Sequence, residues 1–393
     1  IYKYNPDGRS YSDGNTTLLM FQLNHFLNEK MFYDLKFSKT NNDYGSYVFE
    51  DYNSFNILQE DGIYQGVYHF AGDTIYNYVN DKYMTAYGAG FFTGGQDKGH
   101  LNRTTITNNL KFDFTWQITN AHNIKTGLSR TTYELENTYH TVRNAYAGTS
   151  DESDKYKPIV LPDSTVYSDV FLVKPKETSF YIQDKIEYGD MIINAGIRYE
   201  YFDPRSFMPN NIHEPYIKNP RNPALDSLSL ADRETVDWGS IMYTTEDSLG
   251  NPIAYSYADY YQGLGNQKNL NQKTGWWKKT SPKSQLSPRL GIAYPISDRG
   301  VVHFSYGYFF KIPDFSLLYN NTEIKLTDAG TDFGIFGNPD LKPERSVSYE
   351  IGLQQEILPS LKLDIRAYYK DSRDYVSSGI PIDLGDGKSY FTF

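Results

Sequence analysis

Residues 344–370 read ERSVSYEIGLQQEILPSLKLDIRAYYK, and this stretch decides the fold. Val347, Tyr349, Ile351, Leu353 and Ile357 alternate with Ser346, Ser348, Glu350, Gly352, Gln354 and Glu356, a pattern broken only at Gln355. After Pro359-Ser360, Leu361, Leu363, Ile365, Ala367 and Tyr369 alternate with Lys362, Asp364, Arg366, Tyr368 and Lys370. Successive side chains of a strand point to opposite faces, so a period of two predicts a hairpin with one apolar face and one charged face.

Working outward, the same grammar recurs in four more pairs. Met191 to Tyr201 places Met191, Ile193, Ala195, Ile197, Tyr199 and Tyr201 on one face, and it pairs with Ser179 to Tyr188 across Gly189-Asp190. Leu286 to Ile296 pairs with Val301 to Ile312 across Asp298-Arg299-Gly300, with Phe310 and Ile312 among the apolar-face residues. Leu110 to Ile118 turns at Asn120-Ala121-His122 into Ile124 to His140, and Thr17 to Leu27 pairs with Met31 to Phe37. Very short turns alternate with long connections at about residues 41–100, 141–176, 204–283 and 314–344, which are rich in Asn, Asp, Gly, Ser and Tyr. Loops beyond about 15 residues are uncommon in compact soluble domains. They are the rule on one end of a transmembrane β-barrel, which has short periplasmic turns and long extracellular loops. A sandwich or propeller would alternate too, but with shorter loops. The polar faces also carry Gly127, Gly196, Gly291, Gly307 and Gly352, which either crowding inside a lumen or bends in the strands would explain.

Composition agrees with an all-β antiparallel membrane barrel. The 393 residues include 37 Tyr, 23 Phe and 4 Trp, a load suited to strands and to water–lipid interfaces. A mean hydropathy of −0.61 and a net charge of −10 look soluble, yet in a barrel only alternate residues face lipid. No apolar run of about 18 residues exists to form a membrane helix. With no Cys, disulfide frameworks, thiol nucleophiles and cysteine metal sites are excluded. The acidic balance without basic clusters argues against a nucleic-acid partner. The histidines, at 25, 69, 100, 122, 140, 213 and 303, show no metal-binding spacing, and no nucleophile elbow or phosphate loop is present. No catalytic constellation and no cofactor are expected. An outer-membrane phospholipase or protease would need a nucleophile and base near the rim, and none pairs convincingly.

Gly337-Asn338-Pro339-Asp340-Leu341-Lys342-Pro343-Glu344-Arg345-Ser346, with the strand that follows, resembles a signature of the TonB-dependent outer-membrane receptors. Ser287-Pro288-Arg289-Leu290-Gly291, Phe309 to Phe315, Tyr181-Ile182-Gln183-Asp184-Lys185 and Ala195 to Tyr199 match the same family in order. The Asn-rich loops and heavy Tyr use resemble its Bacteroidota members with a carboxypeptidase-regulatory-like extension. The resemblance implies a closed barrel of about 22 strands, of which ten and the start of an eleventh, at Tyr390 to Phe393, are readable. Residues 1–393 are therefore expected to be a partial barrel, begun in mid-protein at Ile1, without plug domain or C-terminal strands. The resemblance further implies a Gram-negative outer membrane, lipid around the wall and an unidentified small ligand. It also implies energy from the TonB–ExbB–ExbD complex, reached through an N-terminal region that matches nothing here, and a surface lipoprotein as accessory. Active import of a scarce nutrient is the function so implied; a non-transporting scaffold and a porin-like passive channel are the rivals.

Within the signature, Asn338-Pro339-Asp340 initiates a turn and Pro343 holds Lys342 extended, so Asn338, Pro339, Leu341, Pro343 and Glu344 are expected to set strand register. Ligand contact is expected from loop aromatics: Tyr64, Tyr68 and Phe70 in the first long connection, and Tyr257, Tyr260, Tyr261, Trp276 and Trp277 in the longest. Asp7, Asp13 and Asn15 form a weak calcium candidate beside glycine turns, as do Asp328 with Asp332 and Asp151, Glu152 and Asp154; turns bonding their own backbone are the better reading of each. Arg198 with Glu200, and Asp364 with Arg366, must face inward, since Arg toward lipid costs about 2–4 kcal/mol at mid-bilayer.

Overall fold

Where apolar and polar residues alternate, the chain is extended and paired to its neighbour in sequence. The computed structural model describes residues 8–50, 68–70, 73–75, 86–87, 91–92, 97–146, 149–150, 158–161, 167–209, 243–246, 252–255, 277–322, 335–383 and 389–393. The main strands are β1 (Tyr11–Asn28), β2 (Met31–Tyr47), β3 (Gly99–Gln117), β4 (His122–Thr141), β5 (Ser168–Val173), β6 (Lys176–Tyr188), β7 (Met191–Asp203), β8 (Lys283–Ser297), β9 (Gly300–Lys311), β10 (Glu344–Leu358) and β11 (Leu361–Arg373). They form one 11-stranded sheet in the order β1-β2-β3-β4-β6-β7-β8-β9-β10-β11, with β5 on the outer half of β4. All its pairings are antiparallel. The wall is open: β1 and β11 are its two edges. Among the described residues no helix is long and apolar enough to cross a membrane.

Register sorts side chains into two continuous faces. Leu35, Phe112, Leu128, Phe180, Tyr199 and Leu286 lie side by side across six strands. Most of this row is exposed, Leu286 by 59% and Leu128 by 47%. The next row, one residue along, holds Asp34, Asp113, Gly127, Tyr181, Arg198 and Ser287 on the opposite face. A single-layer sheet that exposes its apolar face, and through the middle of its strands keeps its charges on the other, suits a wall with lipid outside and a polar lumen inside.

Several details differ from the sequence reading. β2 runs on to Tyr47 and β3 begins at Gly99, so strand replaces part of the expected 41–100 connection. Outward positions there are Lys39, Asn41, Asp43, Thr104 and Asn108; above the lipid nothing requires them to be apolar, so the alternation lapses while the ladder continues. For the same reason Asp13 and Asn15 lie inside β1, opposite Gly45 and Asp43, and the turn assumed around them is absent; Asp7 lies outside the described residues. β5 occupies part of the expected 141–176 connection. Tyr390 to Phe393 does not start an eleventh wall strand, because Ser389–Thr392 pairs with Ile382–Asp383 and, in parallel, with Ile335–Phe336. Phe310 and Ile312 pack on a buried cluster at the outer end rather than facing lipid. There the β8–β9 ladder stops at Arg289 opposite Gly307, and the next residue of β8, Pro288, has no N–H to extend it.

Two inner glycines record crowding rather than bends. A Cβ on Gly127 would collide with the ring of Tyr181 and with Asp113 Oδ1, and one on Gly352 would collide with the imidazole of His303. Over Gly127 the Tyr181 ring lies across β4 from β6 and donates its hydroxyl to Asp113 on β3 at 2.6 Å. Gly127→Ala is expected to break that bond and cost about 1–3 kcal/mol, read as a lower midpoint of heat unfolding in detergent. In a Tyr181→Ala background the same substitution should cost much less; equal costs in both backgrounds would refute the crowding account.

Candidate functional site

The inner face is a polar wall whose charges are largely paired within it. Lys111 and Asp113, two apart on β3, meet at 2.9 Å. Arg198 reaches Glu200 at 3.1 Å and donates to Ser179 Oγ at 2.7 Å. Ser287, fully buried, donates to Glu200 Oε2 at 2.8 Å and accepts from Gln285 at 3.2 Å. Further along, Lys311 meets Glu344 at 3.2 Å, Arg366 meets Asp364 at 2.9 Å, and His303 lies 3.4 Å from Glu350. Both pairs expected from sequence, Arg198–Glu200 and Asp364–Arg366, are formed on this face. Between the paired groups lies a hollow of about 540 Å³ lined by Lys125, Tyr181, Arg198, Arg289, Ser348 and Glu350 among others. The Arg289 guanidinium stacks over the Phe309 ring at 5.0 Å. Such a surface is hydrated and binds polar groups by hydrogen bonds and ion pairs. It offers no aligned nucleophile and base, and among the described residues no cluster of three metal-ligating side chains.

At the outer end the wall has a small core. Leu135, Val173, Phe202, Leu318 and Tyr319 are buried together, with Tyr133, Phe171, Phe315 and Leu341 packed around them. Leu318 and Tyr319 come from a short helix, α1 (Phe315–Tyr319). The Tyr319 hydroxyl donates to the Pro204 carbonyl at 2.9 Å, and burial pushes its phenol well above the usual tyrosine range.

The signature residues tie this core together. Asn338 Oδ1 accepts the Asp340 N–H at 3.0 Å, the turn its Asn-Pro-Asp sequence predicts. The Asn338 N–H donates to Leu317 O at 2.9 Å, and that of Gly337 to Asn320 O at 2.7 Å, which fastens the turn to α1. Asp340 Oδ1 accepts from Ser281 N at 2.9 Å and from Lys283 Nζ at 2.6 Å. Pro339 and Pro343 are buried, Leu341 packs on the core, and Glu344 opens β10 beside Lys311. The same region closes the neck of the longest connection: Phe207–Pro209 pairs with Trp277–Lys279, Thr280 N donates to Ser206 O at 3.0 Å, and Thr280 Oγ1 accepts from Ser206 N at 3.2 Å.

Of the expected contact aromatics, Tyr68 and Phe70 lie on a short strand, Tyr68–Phe70, paired with Asp73–Ile75, and Trp277 sits on the neck strand. Tyr64, Tyr257, Tyr260, Tyr261 and Trp276 lie outside the described residues, as do Asp328, Asp332, Asp151, Glu152 and Asp154. Sequence reasoning missed the Lys111–Asp113 pair, although its two-residue spacing on a polar face is the signal that revealed Arg198–Glu200. It also missed Tyr181–Asp113 and Asp340–Lys283, which join strands or connections that only the fold brings together.

The chain matches, over residues 2–392, the family model described as TonB dependent receptor-like, beta-barrel. Similar solved structures include the alcaligin outer-membrane receptor FauA from Bordetella pertussis, 11% identical over 98% of this chain and 42% of that one, with a TM-score of 0.43. The ferric yersiniabactin uptake receptor FyuA from Yersinia pestis is 11% identical over 93% of this chain and 37% of that one, TM-score 0.42. The copper transporter OprC is 9% identical over 97% and 42% respectively, TM-score 0.49. The chain thus spans well under half the length of these structures. No protein of curated function matches it in sequence.

Asp340→Ala removes the acceptor for Ser281 N and Lys283, so a stability loss of about 1–3 kcal/mol is expected. Asp340→Asn, which keeps an acceptor for the backbone N–H but not the ion pair, should fall between Ala and the parent. Heat-unfolding midpoints of the three proteins check this order.

Proposed function

Because the chain belongs to the TonB-dependent receptor-like β-barrel family, one of outer-membrane receptors and transporters rather than enzymes, we propose that the whole protein imports a scarce nutrient by active transport. The observation that carries this reading is the wall itself: an apolar outer face, a hydrated inner face, and long connections gathered at the end opposite the short turns. Energy comes from the TonB–ExbB–ExbD complex, with which members of this family work. The nutrient belongs among solutes too large or too rare for passive pores, such as iron chelates, cobalamin, glycans or peptides.

Ligand contact falls to the aromatic residues of the outer connections, Tyr64, Tyr68, Phe70, Tyr257, Tyr260, Tyr261, Trp276 and Trp277. Two features support this: the neck at Phe207–Pro209 and Trp277–Lys279 carries the longest connection from the outer rim, and aromatic side chains supply rigid contact area. The Asn- and Tyr-rich connections favour a Bacteroidota-type receptor, with a surface lipoprotein as its accessory partner.

Cells expressing the whole protein, offered a panel of such nutrients, should accumulate one of them only while the proton gradient stands. A protonophore should lower uptake to the level of a deletion strain and leave binding to cells unchanged. Uptake indifferent to the protonophore would make the protein a passive channel, and neither uptake nor binding would make it a scaffold. Trp276→Ala combined with Trp277→Ala should weaken binding by about tenfold or more without lowering the amount in the outer membrane.

A further inference from the structure

The hollow in the inner face holds two cations without an ion-pair partner among the described residues, Lys125 and Arg289. Lys125, Gln183, Gly196, Arg289, Gly307 and Ser348 form one inner row from β4 to β10. Lys125 and Arg289 are thus three strand spacings apart, about 14 Å, and Gln183 and Gly196 floor the space between them. One step nearer the short turns the floor continues with Asn194, Gly291 and Ser305. Lys111 and Arg198 also line the hollow, against one acid, Glu350. Lys111 is engaged by Asp113 and Arg198 by Glu200, while Glu350 lies 3.4 Å from His303. Asp113, the acid diagonal to Lys125, also accepts the Tyr181 hydroxyl.

Arg289 is held in place rather than left to wander. The Phe309 ring lies over Gly307, where a Cβ would come within 2.8 Å of it, and the Arg289 guanidinium stacks on that ring at 5.0 Å. Gly307 therefore seats Phe309, and Phe309 seats Arg289. Stacking occupies the flat face of the guanidinium and leaves its in-plane N–H groups for an oxyanion, which they match two at a time. Gly291 supplies a separate sign. A Cβ on Gly196, Gly307 or Gly352 would strike a neighbour, but one on Gly291 would meet nothing nearer than Asn194 Cβ at 3.9 Å. Its backbone is not left-handed either. A glycine inside a strand weakens the sheet, and where neither crowding nor a bend requires it, it marks close approach of something from outside. Gly291 lines the same hollow as the two cations.

We infer that this hollow is a mid-wall seat for an oxyanion, the carboxylate or phosphate group of a solute in transit, which lies over Gly196 and Gly291 between Lys125 and Arg289. The inference rests on the import reading and narrows the nutrient to acid-bearing solutes. It places a contact on the wall itself, apart from the aromatic residues of the outer connections.

The test titrates the full-length protein, in a zwitterionic detergent, with tricarballylate, with inorganic pyrophosphate and with the uncharged triamide of tricarballylate. At least one of the two anions should bind and the triamide should not; the tighter anion names the acid group. Lys125→Gln and Arg289→Gln should each weaken that anion about tenfold, and together about a hundredfold. Lys125→Arg should bind as the parent does, and Phe309→Leu, which removes the stack, should weaken binding about fivefold. Gly291→Thr separates the seat from a structural role. Its heat-unfolding midpoint should be no lower than the parent's, since threonine favours strands and the added Cβ has room, yet the filled floor should weaken the anion about tenfold. Failure of both anions to bind, equal binding of the triamide, or equal anion affinity in the parent and the double Gln variant would each overturn the seat. The protonophore experiment reads import by itself: uptake indifferent to it, with anion binding lost in the double Gln variant, would overturn import and leave the seat.

Discussion

Everything in this wall depends on the pairing register of its strands. Backbone N–H and C=O groups that meet hydrocarbon must bond to one another, which the antiparallel ladder achieves, and the ladder then fixes which side chains face which way. Slipping β7 by one residue would turn Arg198 and Glu200 toward lipid, at about 2–4 kcal/mol for the arginine alone, and bury Ile197 and Tyr199 in water. The inner hydrogen bonds pin the same register. Tyr181 spans β4 to reach Asp113 only where Gly127 leaves room, and Ser287 meets Glu200 only when β7 and β8 are correctly set. Outer apolarity and inner complementarity select one alignment.

That constraint explains what was legible in the sequence. All five hairpins were readable because each crosses the lipid band, where one face must be apolar and the other need not be. Outside the band the requirement vanishes, so the outer end of β2, the first residues of β3 and all of β5 looked like connections although the ladder continues through them. Tyr390 to Phe393 has the alternation of a wall strand, yet its backbone partner is the two-residue strand Ile335–Phe336. Nothing local distinguishes those partners. Phe310 and Ile312 carry on the apolar face of β9, but past Gly307 the strand leaves β8, and their surroundings become the buried core around Phe202 and Leu318.

The signature forms the turn that its Asn-Pro-Asp sequence predicts, and its bonds reach well beyond that turn. Asn338 and Asp340 join α1, the neck of the longest connection and the start of β8, residues up to 59 apart in sequence. Pairings over such separations are invisible to a window of alternating residues, whereas the turn formed by Asn338 and Asp340 is local and was visible. The candidate site was therefore legible as a polar face and a turn, but not as a network.

The two faces also treat charge differently, for a reason that lies in their surroundings. Inside, acids and bases alternate along and across strands, so many pair within the wall, as Lys111 with Asp113 and Arg198 with Glu200 do, while Lys36, Lys125 and Arg289, which form no ion pair among the described residues, rest on the hydration of a polar lumen. Outside, charge stands only towards the ends of the strands, and there much of it is paired too, Arg345 with Asp374 and Arg373 with Asp371 at the outer end and His122 with Asp184 at the other. Between those ends the outward face holds no charged residue, since nothing in hydrocarbon would solvate one, whereas on the inner face charge runs the whole length of the strands.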